Sequence, residues 1–257
     1  MSIEKIFTDT EPMRLNKWMA HLGLCSRREA ETLIAQGLIR IDGELVRDPG
    51  HKISTGQKLE LAQAGQDNLN AQMTLIYHKP VGIVSGQPEP GQIPAVRMIR
   101  RANHFGPLTQ SPDHDSKLAP VGRLDKDSRG LLILSEDGVV AKSIIGPNSE
   151  LEKDYTVRVR GEIDEGKLKL LRHGLHLDGR QLKPAKVKRL SPQTLNFILN
   201  EGRNRQIRRM CDLVGLEVVD LYRSRIGPLS LGDLPEGMWR LLTSEERQSL
   251  IAGGIRT

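Results

Sequence analysis

The stretch Pro120–Gly138, PVGRLDKDSRGLLILSEDG, decides how this chain is read. Its first half is a polar turn crowded with Arg123, Asp125, Lys126, Asp127, Ser128 and Arg129. It runs directly into Leu131–Leu134, an apolar run short enough for a buried strand, and ends at Asp137–Gly138. A chain built this way holds a side chain rigidly at the mouth of a strand. Two carboxylates beside two arginines and a lysine are an odd choice for stability alone, because each buried charge needs a partner. On the residues themselves a plainer reading stays open, a solvated turn in which Asp125 or Asp127 accepts bonds from nearby backbone N–H groups.

The chain has 257 residues, enough for one large domain or two. Hydrophobic content of 37% and a mean hydropathy of -0.40 describe an ordinary soluble protein. No run approaches the roughly eighteen apolar residues a membrane span needs. The opening MSIEKIFTDTEP has neither a basic start nor an apolar core, so no secretory leader is expected and the cytoplasm is the expected address. Cys25 and Cys211 fit no metal spacing and are expected as buried thiols. Asp113-His114-Asp115 has nothing nearby to complete a ligand set, so no metal is expected.

The formal charge is +6 and the isoelectric point near 9.4, the disposition of a protein that meets phosphate. Residues 181–225 hold ten Lys and Arg against four acids, so that segment accounts for the whole excess. Aromatic content of 3% argues against a broad stacking platform, so any nucleic-acid partner would be recognised through backbone charge and shape.

Local patterns place the elements. Leu15, Trp18, Met19 and Leu22 predict a short helix over 13–22. Ser26-x-x-Glu29 is a capping box opening a second helix that Gly37 ends. Leu38–Val46 alternates around the hairpin turn Asp42–Gly43. Leu61–Ala71 is polar and non-periodic and reads as a linker. Beyond it come a strand at 73–78, a turn at Lys79–Gly82, and an irregular Pro-rich stretch at 85–119 with a short helix at 95–101. That stretch is expected as a loop over a cleft. A helix at 138–145, a strand at 154–160 with Tyr155, Val157 and Val159 inward, a helix at 164–173 and a strand at 194–199 follow. Arg203–Val214 predicts a helix with Ile207, Met210, Cys211 and Val214 on one face and Arg205, Arg208, Arg209 and Asp212 on another. A strand at 216–221 and a last helix capped by Thr243-x-x-Glu246 complete the chain. The class this predicts is α+β.

The residues also carry a resemblance. Gly122-Arg123-Leu124-Asp125, with Ser128 and Gly130-Leu131-Leu132, resembles the GRLD signature of pseudouridine synthases, in the branch that modifies bacterial ribosomal RNA. Lys79-Pro80 with Gly82, Glu152-Lys153 with Tyr155, and Gly202–Met210 resemble the family's other motifs in the expected order. The segment RLNKWMAHLGLCSRREAETLIAQGLIRIDGELV resembles the S4-type RNA-binding module, with Arg14, Lys17, Arg27 and Arg28 outward. The resemblance implies an S4-like module at 13–60, a linker at 61–71 and a catalytic domain at 72–257 with a mixed or antiparallel sheet and flanking helices. Its cleft should lie between the GRLD turn and the 203–214 helix.

What the resemblance implies chemically is isomerisation of uridine to pseudouridine inside RNA, without metal or other cofactor. Asp125 would be the catalytic carboxylate, as nucleophile or as base, both of which stay open. Arg208 would hold it ionised through a bidentate pair, and Tyr155 would pack on the base. Arg123, Arg203, Arg205, Arg209, Arg223 and Arg225 would hold RNA. The expected substrate is ribosomal RNA or an assembling subunit, the expected state a monomer. The KDS after GRLD and the NRQIRRM run look closest to members acting on large-subunit RNA, with small-subunit RNA as the alternative. Ser128, where many relatives have Thr, and Ser135-Glu136, in place of Thr-Asn, depart from the pattern. A non-catalytic RNA-binding or assembly protein is the competing class, and it would tolerate loss of Asp125.

Overall fold

A computed structural model describes residues 3–173 and 175–254. The chain forms two compact units, one built from residues up to Met73 with Glu136–Lys142, the other from Thr74–Ser135 and the chain from Ser143 onward.

In the first unit the helices Leu15–His21 and Arg27–Ala35 form where the apolar spacing predicts them. The capping box is complete: the Glu29 amide donates to Ser26 Oγ and the Ser26 amide to the Glu29 carboxylate. Strands Ile39–Ile41 and Glu44–Val46 join through Asp42 and Gly43, both at positive φ as a type I′ turn requires. With Lys58–Leu61 and Ile3–Ile6 they make a four-stranded antiparallel sheet. Phe7 meets Trp18 edge-on at 5.2 Å within a core of Met19, Leu33, Ile34, Leu59 and Leu61.

The polar stretch read as a linker folds instead as the helix Gln63–Asn70. Gly65 lies against the Leu61 and Leu33 side chains, and Leu69 packs on the core. Two anchoring residues in a polar octapeptide leave no periodicity to read.

The second unit is a mixed sheet. Its path runs Lys186–Ser191, Thr194–Leu199, Lys153–Arg160, Glu217–Ile226, Arg129–Ser135, Thr74–Lys79 and Trp239–Leu241, with Ala119–Val121 and Leu229–Ser230 added at the sides. Arg129–Ser135 pairs parallel with Glu217–Ile226 and antiparallel with its other neighbours. Its residues Gly130–Ser135 are all buried, which is why the sequence there is continuously apolar rather than alternating. In Lys153–Arg160 the alternation is clean, with Lys153, Tyr155, Val157 and Val159 inward.

Three of the elements expected in this unit differ in kind or extent. The helix expected at 203–214 is Gln206–Leu213, because Arg205 sits in the left-handed region at φ 49 and the chain before it is a turn. The strand expected to stop at Leu221 continues to Ile226 through Arg223 and Arg225. The helix expected at 95–101 is two 3-10 turns, Ala95–Met98 and Arg101–Asn103. Asn103 Nδ2 donates to the Met98 and Gly237 carbonyls and Trp239 Nε1 to the Arg100 carbonyl, so this part of the Pro-rich stretch is fastened to the sheet edge. The final residues of the expected catalytic domain, 255–257, lie outside the described residues.

Candidate active site

The GRLD turn is held from below. Ser85, buried, donates from Oγ to the Leu124 carbonyl at 2.6 Å and accepts from the Leu124 amide at 2.8 Å, so both polar groups of the residue before Asp125 are fixed. The Gly82 amide donates to the Lys126 carbonyl at 2.8 Å, which ties the Lys79–Gly82 turn to the same loop. Gly130 has φ +111 and lies against the Arg223 backbone, so a Cβ there would collide with it. That close approach lets the strand after the turn run beside Glu217–Ile226.

A cavity opens where this turn faces the start of the 206–213 helix. Asp125, Ser128, Tyr155, Arg205, Arg208 and the floor residues Leu199, Ile207 and Leu221 line it. The sequence expectation for this cleft and for Asp125, Tyr155 and Arg208 lying together agrees with the geometry. The pairing does not. Arg208 is not the partner of Asp125: its Nη2 donates to the Asp127 carbonyl at 2.7 Å and to Ser128 Oγ at 3.3 Å, its Nη1 to the Val218 carbonyl, and its Nε lies 3.3 Å from Asp127 Oδ2. Helix geometry explains this, since Arg208 stands a turn into the helix and is buried, while Arg205 at the helix start reaches the lip. Arg205 Nη1 lies 3.7 Å from Asp125 Oδ2, and the same guanidinium forks onto Asp127 at 3.2 and 3.0 Å. Burial works against the Asp127 charge, but Arg205 and Arg208 outweigh it and hold that carboxyl below the usual carboxylate range.

The expected RNA-binding residues separate into three groups. Arg14, Arg27, Arg28 and Arg123 are exposed, Lys17 is half-buried, and none of the five side chains has a hydrogen-bond or ion-pair partner among the described residues. Arg203, Arg205, Arg209 and Arg225 are already engaged. Arg203 holds the Leu177 and Gln181 carbonyls, Arg209 forks onto Asp178 at 3.0 and 2.7 Å, and Arg225 reaches the Gly227 carbonyl and Asp154. Arg223 corrects its expectation: it is 2% exposed, and its Nε and Nη1 donate to the Leu131 and Arg123 carbonyls. It is part of the sheet's interior because the strand carrying it runs on past Leu221.

The burial of two motif lysines escaped the sequence reading. Lys79 is fully buried and donates to the Pro80 and Ile83 carbonyls; burial pushes its ammonium down to about 8, against the pull of Asp125 and Asp127. Lys153 donates to the Leu151 carbonyl, and burial with the nearby Arg223 charge also brings it down to about 8. Lysine is so seldom fully buried that its type points outward; only the inward phase of Tyr155 and Val157 signalled Lys153.

Comparison with known proteins agrees with this geometry. The family model for RNA pseudouridylate synthase matches residues 73–213, and that of the S4 domain matches 13–59. A Salmonella typhi protein named dual-specificity RNA pseudouridine synthase RluF is 36% identical over 94% of this chain and 79% of its own length. The Bacillus subtilis ribosomal large subunit pseudouridine synthase B is 34% identical over 93% of this chain and 96% of its own. A crystal structure of a pseudouridylate synthase superposes with a TM-score of 0.64 at 28% identity, covering 93% of this chain and 99% of that one. The chain belongs to the RNA pseudouridylate synthase family: it is an RNA pseudouridine synthase that carries an S4 domain.

Proposed function

We propose that this enzyme isomerises a uridine of ribosomal RNA, in the large subunit, and that Asp125 is the group that acts on the nucleoside. The observation that carries the assignment is the placement of Asp125 at the lip of the cavity, after a residue whose amide and carbonyl are both clamped by Ser85. A fixed carboxylate is what the reaction needs: the C1′–N1 bond breaks, the base turns, C5 bonds to C1′ and gives up its proton to solvent while N1 takes one, with no net oxidation and no external group. Asp125 either attacks the sugar or removes a sugar proton. The target uridine must leave the stack to reach it, at a cost of a few kcal/mol.

Tyr155 packs against the flipped base, and Leu199, Ile207 and Leu221 give the base an apolar seat. Arg208 positions the turn through Asp127 and Ser128 rather than touching Asp125. Arg205 is the cation beside Asp125 and turns toward RNA when substrate enters. Arg14, Lys17, Arg27 and Arg28 of the S4 domain supply backbone contacts, as does Arg123. The large-subunit assignment rests on the Bacillus subtilis relative's name, and the protein is read as a monomer acting in the cytoplasm on rRNA or an assembling subunit. The Salmonella typhi relative's dual specificity favours a second reading, a target in another RNA as well.

The test is tritium release from bacterial RNA labelled at uridine C5, separated into large-subunit, small-subunit and transfer fractions. Release from large-subunit RNA by the wild type, abolished in Asp125→Asn with RNA binding retained, is the expected result. Release confined to another fraction overturns the substrate, and an active Asp125→Asn overturns the residue.

A further inference from the structure

A second cavity adjoins the first and shares Arg123, Tyr155, Glu201, Gly202 and Arg203 with it. Its remaining charged lining is Lys153, Lys183 and Arg223, so that Glu201 is its one acid. That acid is taken: its carboxylate accepts from the Lys183 amide at 3.1 Å and from Gln206 Nε2 at 3.0 Å, and it pairs with Arg203. Arg203 is in turn bound to carbonyls of the 177–181 hairpin. What is left over is positive. Arg223 is 2% exposed, and its Nη2 has no hydrogen-bond partner among the described residues although the rest of the guanidinium does. Lys153 is 8% exposed, and its ammonium has one hydrogen-bond partner among the described residues, the Leu151 carbonyl, for three protons. The Arg123 and Lys183 side chains are exposed and free among the described residues.

Buried cations without counter-ions are unfavourable, and a donor with no acceptor adds to the penalty. Uridine itself is neutral, so neither base nor ribose supplies the missing anion. The nearest charge in an RNA substrate is the backbone phosphate on either side of the reacting nucleotide. The shared wall of the two cavities places such a phosphate within reach when the base occupies the first.

We propose that this second cavity is a phosphate subsite, in which Lys153 and Arg223, with Arg123 and Lys183 at the rim, receive a backbone phosphate flanking the flipped uridine. The proposal rests on the reading of the first cavity as the uridine site, but not on which RNA is modified. It gives Lys153 a function that its position in the strand does not require, since a methionine would fill the same space without a buried charge. The lowered affinity of Lys153 for its proton, caused by burial and by Arg223, is what a cation waiting for an anion would show.

The test uses the full-length protein and total bacterial RNA labelled with tritium at uridine C5, so that any converted RNA gives a signal. Initial rates are taken over a series of KCl concentrations for wild type, Lys153→Met, Lys153→Arg and Lys183→Gln. Losing one phosphate contact to a single strand makes the slope of log(kcat/KM) against log[KCl] shallower by about 0.7. Lys153→Met is expected to lose about ten-fold in kcat/KM and to show that shallower slope, with Lys153→Arg restoring it. Lys183→Gln, at an exposed position that does not affect folding, is expected to flatten the slope as well. Slopes unchanged in both Lys153→Met and Lys183→Gln overturn the proposal; a merely structural Lys153 would lower the rate without touching its salt dependence. Failure of the uridine-site reading is separate, because it appears as tritium release by Asp125→Asn.

Discussion

The two units treat charge in opposite ways. In the small one the described residues bury two polar side chains, Asn16, which donates to Glu31 at 2.7 Å, and Asp137, whose carboxylate accepts from the Val139 and Val140 amides; no Lys or Arg is buried among them. The large unit buries Lys79, Lys153, Arg208 and Arg223. Arg208, Lys153 and Arg223 line the two cavities, and Lys79 feels the charges of Asp125 and Asp127. Burying a charge destabilises a fold unless it is fully paired, so charge is retained in a core where chemistry needs it and is left in water elsewhere. Under the proposed function, RNA meets solvated cations in the S4 domain and preorganised ones around the cleft.

The largest effect that would break this contrast is on activity. Asp125→Asn should lower the rate of tritium release by about 10²–10⁴-fold. Arg27→Gln with Arg28→Gln, in the small unit, should weaken RNA binding and make it less salt-dependent while leaving kcat unchanged. A drop in kcat from the second pair would erase the division of labour.

Next is Gly130→Ala, which puts a Cβ into the Arg223 backbone at a φ of +111. It should destabilise by about 3 kcal/mol or more, seen as a lower urea midpoint, and should separate the strand Arg129–Ser135, which follows the Asp125 turn, from the strand that carries Arg223.

Lys153→Met tests whether buried charge is a burden on stability. Folded, Lys153 loses its proton near 8; unfolded, near 10.5. Below pH 8 both states hold the proton and the buried charge destabilises the fold. Between 8 and 10.5 the unfolded chain binds more protons, so this group's contribution to stability rises with pH, by about 3 kcal/mol in total. The variant has no proton there. Its stability relative to wild type should therefore be greatest at pH 7 and fall as the pH rises to 10.5. Lys79, together with Cys25, Cys211 and Tyr77, each pushed up to about 12, is common to both proteins and cancels in the difference. A flat difference across that range would show that Lys153 is solvated.

What could be read from the sequence was whatever a short stretch decides by itself. The apolar run 131–134, the alternation of 155, 157 and 159, the Asp42–Gly43 turn and both capping boxes have local causes, and the structure has each of them. The cleft between the GRLD turn and the 206–213 helix was legible through resemblance. Partner choice was not. Whether Arg208 meets Asp125 or Asp127 depends on how far the helix start stands from the turn, and Arg205 at φ 49 shortens that helix by a residue or more at its start. The burial of Arg223 depends on a parallel neighbour nearly a hundred residues away, Gly130, whose lack of a side chain admits it.

The smallest effect sharpens the contrast from the other side. Ser26 caps the helix Arg27–Ala35 by accepting from the Glu29 amide, and the helix carries Ala30, Leu33 and Ile34 into an apolar core. Removing the hydroxyl in Ser26→Ala leaves one amide of the first turn to water, which should lower stability by about 1 kcal/mol. No buried charge is involved, so that loss should be the same at pH 7 and pH 10, unlike the Lys153→Met difference measured beside it. Urea titrations of both variants at the two pH values check this. The buried Cys25 thiol, pushed up to about 12, titrates alike in wild type and variant and cancels, so a pH-dependent loss for Ser26→Ala would mean that the cap itself is coupled to an ionisable group of the small unit.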